Sequence, residues 1–412
     1  MNARSLKLFL VLYLLSTVAA YCVLFWDARK LISAGAPDFA IYYCAGTVVR
    51  QGLGHQLYDP SVRFEVERQF AAAVPQFRGP LPYYHPPFEA LIFAPFTYLP
   101  FVQAYVAWNV FNCVLLVLLL FLLRPHLTQL QSYSRLLWIL GSWAFFPVFF
   151  TFLQAQDAIL LLFVYTLTYL CLKTNRHASA GAWLGLGLFK YHLVLPFLVL
   201  WLFQKGRTAD KLKLVSGFLP LALLTGLVSV AIAGAKSIAA YPRYVLHWEN
   251  ILGGGERIIA HMPNLRGLAY LFLPPGPYAL ALVVLLSLVL IVYAARNCRV
   301  APQMESFDVR YSLAMVTTVL VSYHVVSYDL SMLLLPVALL SNHLLSEERR
   351  RLGGPRVLVV VAIATLYFSP LQLYLSLRYK QFSLMAIVLL LWTWGIAGEL
   401  RVRSPMDPQA AG

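Results

Sequence analysis

Long apolar runs separated by short polar segments dominate the pattern along the chain. Many of these runs approach the length of about 20 residues that a helix needs to cross a hydrocarbon layer about 30 Å thick. The pattern therefore predicts an all-α integral membrane protein with about twelve transmembrane helices. The predicted spans cover residues 6–26, 101–123, 136–153, 157–173, 178–190, 193–204, 212–233, 277–296, 309–322, 326–345, 356–375 and 381–400.

Two long loops interrupt this pattern, at residues 27–100 and 234–275. Within the first, residues 61–73 have apolar positions at helical spacing and predict a short amphipathic helix. Residues 86–99 are apolar but too short to span, which predicts a re-entrant or interfacial piece. The second loop contains the run Gly253-Gly254-Gly255, which predicts a flexible connection. Residues 1–403 form one predicted membrane domain, and the tail at 404–412 is predicted to be disordered.

The composition indicates that apolar residues are not confined to a core and that the protein surface itself faces lipid. The chain has 412 residues, of which 60% are hydrophobic and only 12% charged, whereas a soluble domain carries about 25% charged residues. The net charge of +15 fits the basic cytoplasmic loops of membrane proteins and not a nucleic-acid surface. The five cysteines are scattered and form no CxxC motif, which argues against a zinc site or a disulfide framework.

The distribution of charge predicts the orientation of the chain. More than half of the 32 Lys and Arg residues fall in the N-terminal segment and in the alternate short loops on the same side, which are cytoplasmic by the positive-inside rule. Both termini are then cytoplasmic. The first apolar run lacks a convincing cleavage site, so it is predicted to remain as a span and not to be removed as a signal peptide. More than half of the acidic residues lie at the opposite, extracytoplasmic side, where we expect the chemistry.

Several polar residues that are energetically unfavourable inside a membrane lie at this outer side. Polar groups at membrane depth are often functional. Asp38 follows the first span among apolar neighbours and is a helix N-cap or a general base with a raised pKa, two roles that are compatible. Tyr84 and His85 precede a rigid Pro-Pro turn and are either interfacial aromatics or site residues. Gln156 and Asp157 form either a tight turn or a pair that binds sugar hydroxyls.

Three basic residues are further candidates for the site. Lys190 lies between two short apolar stretches and either snorkels to the interface or binds a phosphate. His324 is either a buried, satisfied imidazole or a phosphate ligand and proton donor. Arg266, in the second loop beside Asn264, is a further candidate for a phosphate. Together these groups suit a lipid-phosphate sugar donor. A transporter or flippase of a lipid-linked sugar is the main alternative, and a non-catalytic scaffold is the other.

The order of these motifs resembles glycosyltransferase family 87, the polyprenyl-phosphate-mannose-dependent α-mannosyltransferases, over roughly residues 1–350. The motifs are Asp-Phe-x-x-Tyr, Tyr-x-x-Pro-Pro, a turn with Gln, an Ala-Gly-x-x-x-Gly helix followed by Lys, and a His-x-x-x-Tyr-Asp segment. The residues that carry them are Asp38, Phe39, Tyr42, Tyr83, Pro86, Pro87, Gln156, Ala180, Gly181, Gly185, Lys190, His324, Tyr328 and Asp329. The chain departs from the family pattern in two places. Around Gln156 it has Ala155 and Asp157, where the family commonly has Gly and Asn. After Lys190 it has Tyr191 and His192, where a Pro is more usual.

The resemblance implies a GT-C type multi-helix bundle at the bacterial inner membrane. It implies inverting transfer of mannose or another hexose from a polyprenyl-phosphate donor to a glycolipid, glycan or protein hydroxyl, with Asp38 as the base and no metal or other cofactor. The expected ligands of the donor phosphate are Lys190, His324 and Arg266. The expected substrate- and sugar-binding residues are Tyr42, Tyr84, His85, Gln156, Asp157, Asn264 and Asp329.

Overall fold

The fold is a bundle of helices. A computed structural model describes residues 3–71, 83–251, 259–274, 276–300, 306–346 and 353–402, and in these ranges it contains no strand. The helices of the first half are α1 Ala3–Asp27, α2 Arg29–Ser33, α3 Phe39–Arg50, α4 Pro60–Ala71, α5 Pro87–Phe93, α6 Phe101–Leu123, α7 Arg135–Trp143, α8 Phe146–Gln154, α9 Ala158–Lys173 and α10 His177–Leu186. Those of the second half are α11 Tyr191–Leu202, α12 Thr208–Ile251, α13 Leu265–Ala269, α14 Pro277–Val300, α15 Phe307–Val321, α16 Leu334–Ser346, α17 Gly354–Tyr367, α18 Ser369–Leu373 and α19 Met385–Val402.

The all-helical membrane architecture predicted from the sequence is confirmed, but the count of twelve spans is not. In the described ranges, seven helical segments are long and apolar enough to cross a membrane. Two bent pairs raise the number to nine if each pair is one span: α7 with α8, at 60°, and α17 with the helical segment that follows it, at 63°.

Helix length explains the difference in the count. The predicted spans at 178–190 and 193–204 count as one apolar segment, His177–Leu202, which contains the 3-10 turn Gly187–Lys190. The segment reverses direction at this turn, because the start of α10 and the end of α11 line the same cavity. The predicted spans at 157–173 and 309–322 correspond to helices of 16 and 15 residues. At about 1.5 Å per residue, neither reaches across a hydrocarbon core of about 30 Å.

The two long loops contain more helix than the pattern predicted. The helix predicted at 61–73 is confirmed up to Ala71 as α4, and its last two positions lie outside the described residues. The short apolar piece at 86–99 is α5 followed by a 3-10 turn. The second loop does not start as a loop, because the helical path of α12 bends at Gly234 and continues to Ile251. Gly234 has φ +80°, a conformation that favours glycine. The glycine run at 253–255 and the tail at 404–412 lie outside the described residues.

The first loop is anchored by its own apolar cluster. Phe39, Tyr42 and Phe93 are buried there with Trp108 of α6. Tyr42 stacks on Phe93 with ring centroids 4.4 Å apart, and Phe93 packs on Trp108 at 4.5 Å. These contacts fix the start of α3, and therefore Asp38, against one end of the membrane helices.

Helices α10 and α12 pack closely because small residues face one another. A Cβ atom added at Gly181 would lie 1.9 Å from the carbonyl oxygen of Leu214, and one added at Gly217 would lie 1.9 Å from that of Ala178. Such small-residue contacts allow membrane helices to approach backbone to backbone. The close packing supports the helix that leads to Lys190.

We expect Gly217→Ala to destabilise the protein by about 1–3 kcal/mol, because the added methyl group overpacks this contact. Gly226→Ala is the matched control on the same helix, since a Cβ there meets no atom within 4 Å. Thermal unfolding in detergent measures both variants. Equal melting temperatures for the two would show that the contact does not contribute.

Candidate active site

Asp38 directly precedes α3, and its carboxylate does not cap that helix. Its Oδ2 atom accepts a hydrogen bond of 2.9 Å from Nε2 of Gln156. Its backbone N–H donates to Oε1 of Gln154 at 2.9 Å. Asp38 occupies the N-cap position that the sequence suggested, but its side chain makes no capping hydrogen bond. Gln156 thus contacts the carboxylate and Gln154 the backbone N–H, and the residue as a whole keeps some exposure.

The α8–α9 turn holds Gln156 firmly in place. Ala155 ends α8 in the left-handed conformation, with φ 46°, where a family member commonly has Gly. The carbonyl oxygen of Gln156 accepts hydrogen bonds from Nε1 of Trp108 at 3.3 Å and Nδ2 of Asn112 at 3.0 Å. Its side-chain oxygen accepts a hydrogen bond from the hydroxyl of Tyr42. The amide N–H that faces Asp38 is therefore fixed in orientation.

Burial raises the pKa of Asp38 above the ordinary carboxyl value, and the hydrogen bond from Gln156 opposes part of this rise. A carboxyl group that is largely withdrawn from water holds its proton more strongly than a fully solvated one. It is therefore better matched to take a proton from a hydroxyl at neutral pH.

Lys190 lies in a buried three-membered charge network. Its Nζ is 2.9 Å from Oδ1 of Asp157 and 2.7 Å from Oδ1 of Asp329. The other Asp329 oxygen accepts a hydrogen bond from the N–H of Val326 at 2.9 Å. The three charged side chains are all at most 3% exposed. The structure therefore places Lys190, Asp157 and Asp329 against one another beneath the site surface, where the lysine charge already has two carboxylate partners.

A second buried pair lies beside this network. His85 and Glu89 are one helical turn apart, with Nδ1 and Oε2 separated by 2.9 Å. Burial lowers the pKa of His85 to about 4 and raises that of Glu89 to about 8. At neutral pH Glu89 is therefore protonated and the imidazole of His85 is neutral. This neutral pair ties the Pro-Pro turn to the start of α5.

A cavity of about 280 Å³ opens beside these groups. Its polar lining includes Tyr84, His85, His192, Tyr241 and His324. The hydroxyl of Tyr84 and Nε2 of His324 are 3.0 Å apart, and the hydroxyl of Tyr241 donates to the backbone oxygen of Tyr84 at 2.7 Å. Nε2 of His192 has no hydrogen-bond partner in the described part of the chain. The cavity is therefore lined by imidazole and phenol rings, whose apolar ring atoms form most of its wall.

Asp38 lies near the cavity wall. Burial and the nearby charge of Asp38 both raise the pKa of Tyr84, which lines the cavity. A hydroxyl bound between Tyr84 and Asp38 would meet the carboxylate on one side and the cavity on the other.

Arg266 and Asn264 lie behind the cavity wall. The guanidinium of Arg266 is 4.1 Å from the ring centroid of Tyr323, a cavity-lining residue. Oδ1 of Asn264 accepts from the N–H of Gly267 and caps α13, while its Nδ2 donates to the backbone oxygen of Ser322 at 2.8 Å. Asn264 is fully buried. Both residues therefore support the wall from behind.

Residues 83–323, more than half of the chain, match the family model for glycosyltransferase family 87. The chain belongs to glycosyltransferase family 87. It is therefore a membrane glycosyltransferase, with a sugar donor and an acceptor as substrates. No curated protein and no solved structure matches the chain significantly. The matched segment of this glycosyltransferase contains Gln156, Lys190 and the Pro-Pro turn before α5. His324 directly follows the segment, whereas Asp38 lies well before its start at residue 83.

Three site residues of the glycosyltransferase were not predicted from its sequence: Glu89, His192 and Tyr241. His85 and Glu89 have the i,i+4 spacing of a helical pair, a signal that could have found Glu89. His192 lies two residues after Lys190 and could have been chosen with it. Tyr241 has no such signal, because the predicted second loop hid the extension of α12 that carries it.

The described residues of the glycosyltransferase contain no group of three His, Cys, Asp or Glu side chains that could hold a metal ion. Two of the buried carboxylates, those of Asp157 and Asp329, are already paired with Lys190. The independence from a metal that the sequence led us to expect stays a prediction.

Proposed function

We propose that this glycosyltransferase moves a hexose, mannose in the first instance, from a polyprenyl-phosphate donor to an acceptor hydroxyl with inversion at the anomeric carbon. One observation carries the proposal: a carboxylate with a raised pKa, Asp38, is held by Gln156 beside a cavity lined with imidazole and phenol groups. A single well-placed base is what an inverting displacement requires.

In the proposed reaction, Asp38 takes the proton of the acceptor hydroxyl as its oxygen attacks the anomeric carbon. The bond between that carbon and the phosphate oxygen breaks, and polyprenyl phosphate leaves with the electron pair. Because the phosphate is a stable leaving anion, the proposal needs no metal or other cofactor. Fixed donors around the phosphate stabilise the charge that develops on it.

The cavity residues supply those donors in the proposal. His324 and Tyr84 form one hydrogen-bonded pair on the wall, and His192 adds an imidazole nitrogen that is unpaired in the described part of the chain. Arg266 contributes positive charge from behind Tyr323. The sugar then lies toward Gln156 and Tyr42, near the base.

Lys190 has a different part in the proposal from the direct phosphate contact that the sequence suggested. Its ammonium group holds Asp157 and Asp329 together, and Asp157 Oδ1 also lies 3.5 Å from the hydroxyl of Tyr42. The network therefore positions Tyr42 and Gln156, and through them Asp38. Its positive charge also favours the ionised form of Asp38.

The proposed face of reaction is extracytoplasmic, with both termini in the cytoplasm of a bacterium whose inner membrane holds the chain. The support is the excess of Lys and Arg in the N-terminal segment and the short loops at the opposite end of the helices. A glycolipid, a glycan or a protein on that face could provide the acceptor hydroxyl.

The proposal is tested by supplying membranes that contain the protein with radiolabelled polyprenyl-phosphate mannose and, separately, with a nucleotide-activated mannose in the presence of an inhibitor of polyprenyl-phosphate mannose synthesis. We expect labelled product only with the lipid-linked donor. Membranes without the protein are the control. Transfer from the nucleotide sugar alone would overturn the proposed donor, and movement of the lipid across vesicles without transfer would favour the flippase.

The pH dependence of transfer should follow the raised pKa of Asp38. The base must be deprotonated, so the rate should fall with decreasing pH at a midpoint above the ordinary carboxyl value of about 3.9. Gln156→Leu removes a hydrogen bond that favours the charged carboxylate. Its loss raises the pKa further, so the midpoint should move to higher pH.

Gln154→Leu is the matched control for this profile. Gln154 contacts the backbone N–H of Asp38 and not its carboxylate. The midpoint of its kcat/KM profile should therefore stay at the wild-type pH. A midpoint that moves equally in both variants, or in neither, would contradict the assignment of Asp38 as the titrating base.

A further inference from the structure

A second, larger cavity lies at the end of the bundle opposite Asp38. It has a volume of about 790 Å³ and is formed where α9 and α11 end and α10, α12 and α15 begin. Helix α9 starts next to Asp157 and ends at Lys173, which lines this cavity. Its 16 residues separate the two cavities by about 24 Å. The second cavity is therefore distinct from the proposed transfer site.

The charge of this cavity is strongly positive. Two acidic residues line it, Asp210 and Asp308, against six basic ones, which leaves an excess of four positive charges. Asp308 is paired with Lys173 at 3.0 Å, and Asp210 lies 3.7 Å from Nε2 of His177. The basic residues are Lys173, Lys205, Arg207, Lys211, Lys213 and Arg310.

Two buried polar side chains distinguish the cavity from an ordinary basic loop. Arg310 is 6% exposed and Gln204 is 4% exposed, and Nη1 of the arginine lies 3.5 Å from Oε1 of the glutamine. The side-chain nitrogen of Gln204, Nε2, has no hydrogen-bond partner in the described ranges. A buried donor without an acceptor is costly. An anionic oxygen inside the cavity would satisfy it.

Apolar side chains form another part of the lining. Trp201, Leu214 and Phe307 contribute to the cavity, and Phe203 and Leu212 beside it are more than half exposed. A cationic cavity that continues into lipid-facing apolar side chains fits a ligand with a phosphate head and acyl chains. Basic pockets between membrane helices bind the head groups of anionic lipids in this way.

We propose that this cavity binds the phosphate head group of an anionic phospholipid from the leaflet opposite the transfer site. Lys211 and Lys213 on α12 attract the head group at the rim, and Arg310 with Gln204 receives the phosphate oxygens inside. The bound lipid links the ends of α11, α12 and α15. This site does not depend on the proposed transfer reaction.

The test uses the purified full-length protein in a neutral detergent, with dioleoylphosphatidylglycerol as the probe and native mass spectrometry to measure Kd. The double variant Lys211→Gln with Lys213→Gln removes two rim charges without disturbing a buried contact. At about 1 kcal/mol for each charge near the lipid, we expect Kd to rise about 25-fold. Lys236→Gln, an exposed residue on the same helix but outside the cavity, should leave Kd unchanged.

The buried residues are tested by Arg310→Gln, which should weaken phosphatidylglycerol binding at least as much as the rim variant. If this variant does not fold, the rim variant alone decides. An unchanged Kd in the rim variant, or an equal loss in Lys236→Gln, would overturn the proposal. Equal affinity for dioleoylphosphatidylcholine would overturn the anionic specificity. Displacement of the lipid by submillimolar inorganic phosphate would instead assign the cavity to a soluble phosphate ligand.

Discussion

Asp38→Asn is expected to lower the rate of sugar transfer by roughly 10²–10⁴-fold, the usual contribution of a general base. Asparagine has nearly the same shape, and its oxygen can still accept the hydrogen bond from Gln156. It cannot accept the proton of the acceptor hydroxyl, however. The effect should therefore fall on kcat, with little change in the affinity for the donor, and initial rates at saturating donor measure it.

Asp59→Asn is the matched control for this prediction. Asp59 lies in the same loop, is exposed, and accepts a 2.8 Å hydrogen bond from the N–H of Ser61 at the start of α4. Asparagine can make the same bond, so the transfer rate should stay at the wild-type value. If Asp38→Asn retained full activity in a protein that binds the donor normally, another group would have to be the base.

Lys190→Met is expected to cost about 3–5 kcal/mol of folding free energy, the largest stability effect that we predict. The change leaves Asp157 and Asp329 buried next to each other without their shared cation. Unpaired charges are expensive in a dry interior. Thermal unfolding in detergent, with and without the substitution, measures the loss.

The same network predicts a rescue. Replacing both aspartates with asparagine in the Lys190→Met background removes the stranded charge and should restore most of the lost stability. Lys173→Met is the matched control, because its partner Asp308 is 23% exposed and water can solvate it. We expect that pair to contribute about 1 kcal/mol or less. Equal losses at the two lysines would contradict the buried network.

The sequence predicted the helical membrane fold because the hydrophobic signal is local. A run of about 20 apolar residues identifies a span without knowledge of its neighbours. The count of spans failed where the outcome depends on tertiary structure. The 3-10 turn at Gly187–Lys190 joins two short apolar runs, and the bend at Gly234 lets α12 continue into a region predicted to be a loop.

Only part of the site was predicted, again because the sequence does not show tertiary contacts. Polar residues within apolar surroundings are visible in the sequence, and this led to Asp38, Gln156, Lys190 and His324. Their partners are not visible, since the three members of the Lys190 network come from positions 157, 190 and 329. A lysine alone in an apolar stretch suggests a ligand, whereas a lysine between two aspartates is part of the scaffold. Whether each predicted residue contacts the substrate stays a prediction.

The anomeric configuration of the product tests the central claim most directly. The purified wild-type protein would be given a β-linked polyprenyl-phosphate mannose labelled with ¹³C at the anomeric carbon, together with an acceptor that supports transfer. The one-bond carbon–proton coupling of the new linkage then reports its configuration. Direct displacement assisted by Asp38 predicts an α-linked product. A β-linked product would contradict the account, because it requires a second displacement and a nucleophile that the proposed mechanism does not contain.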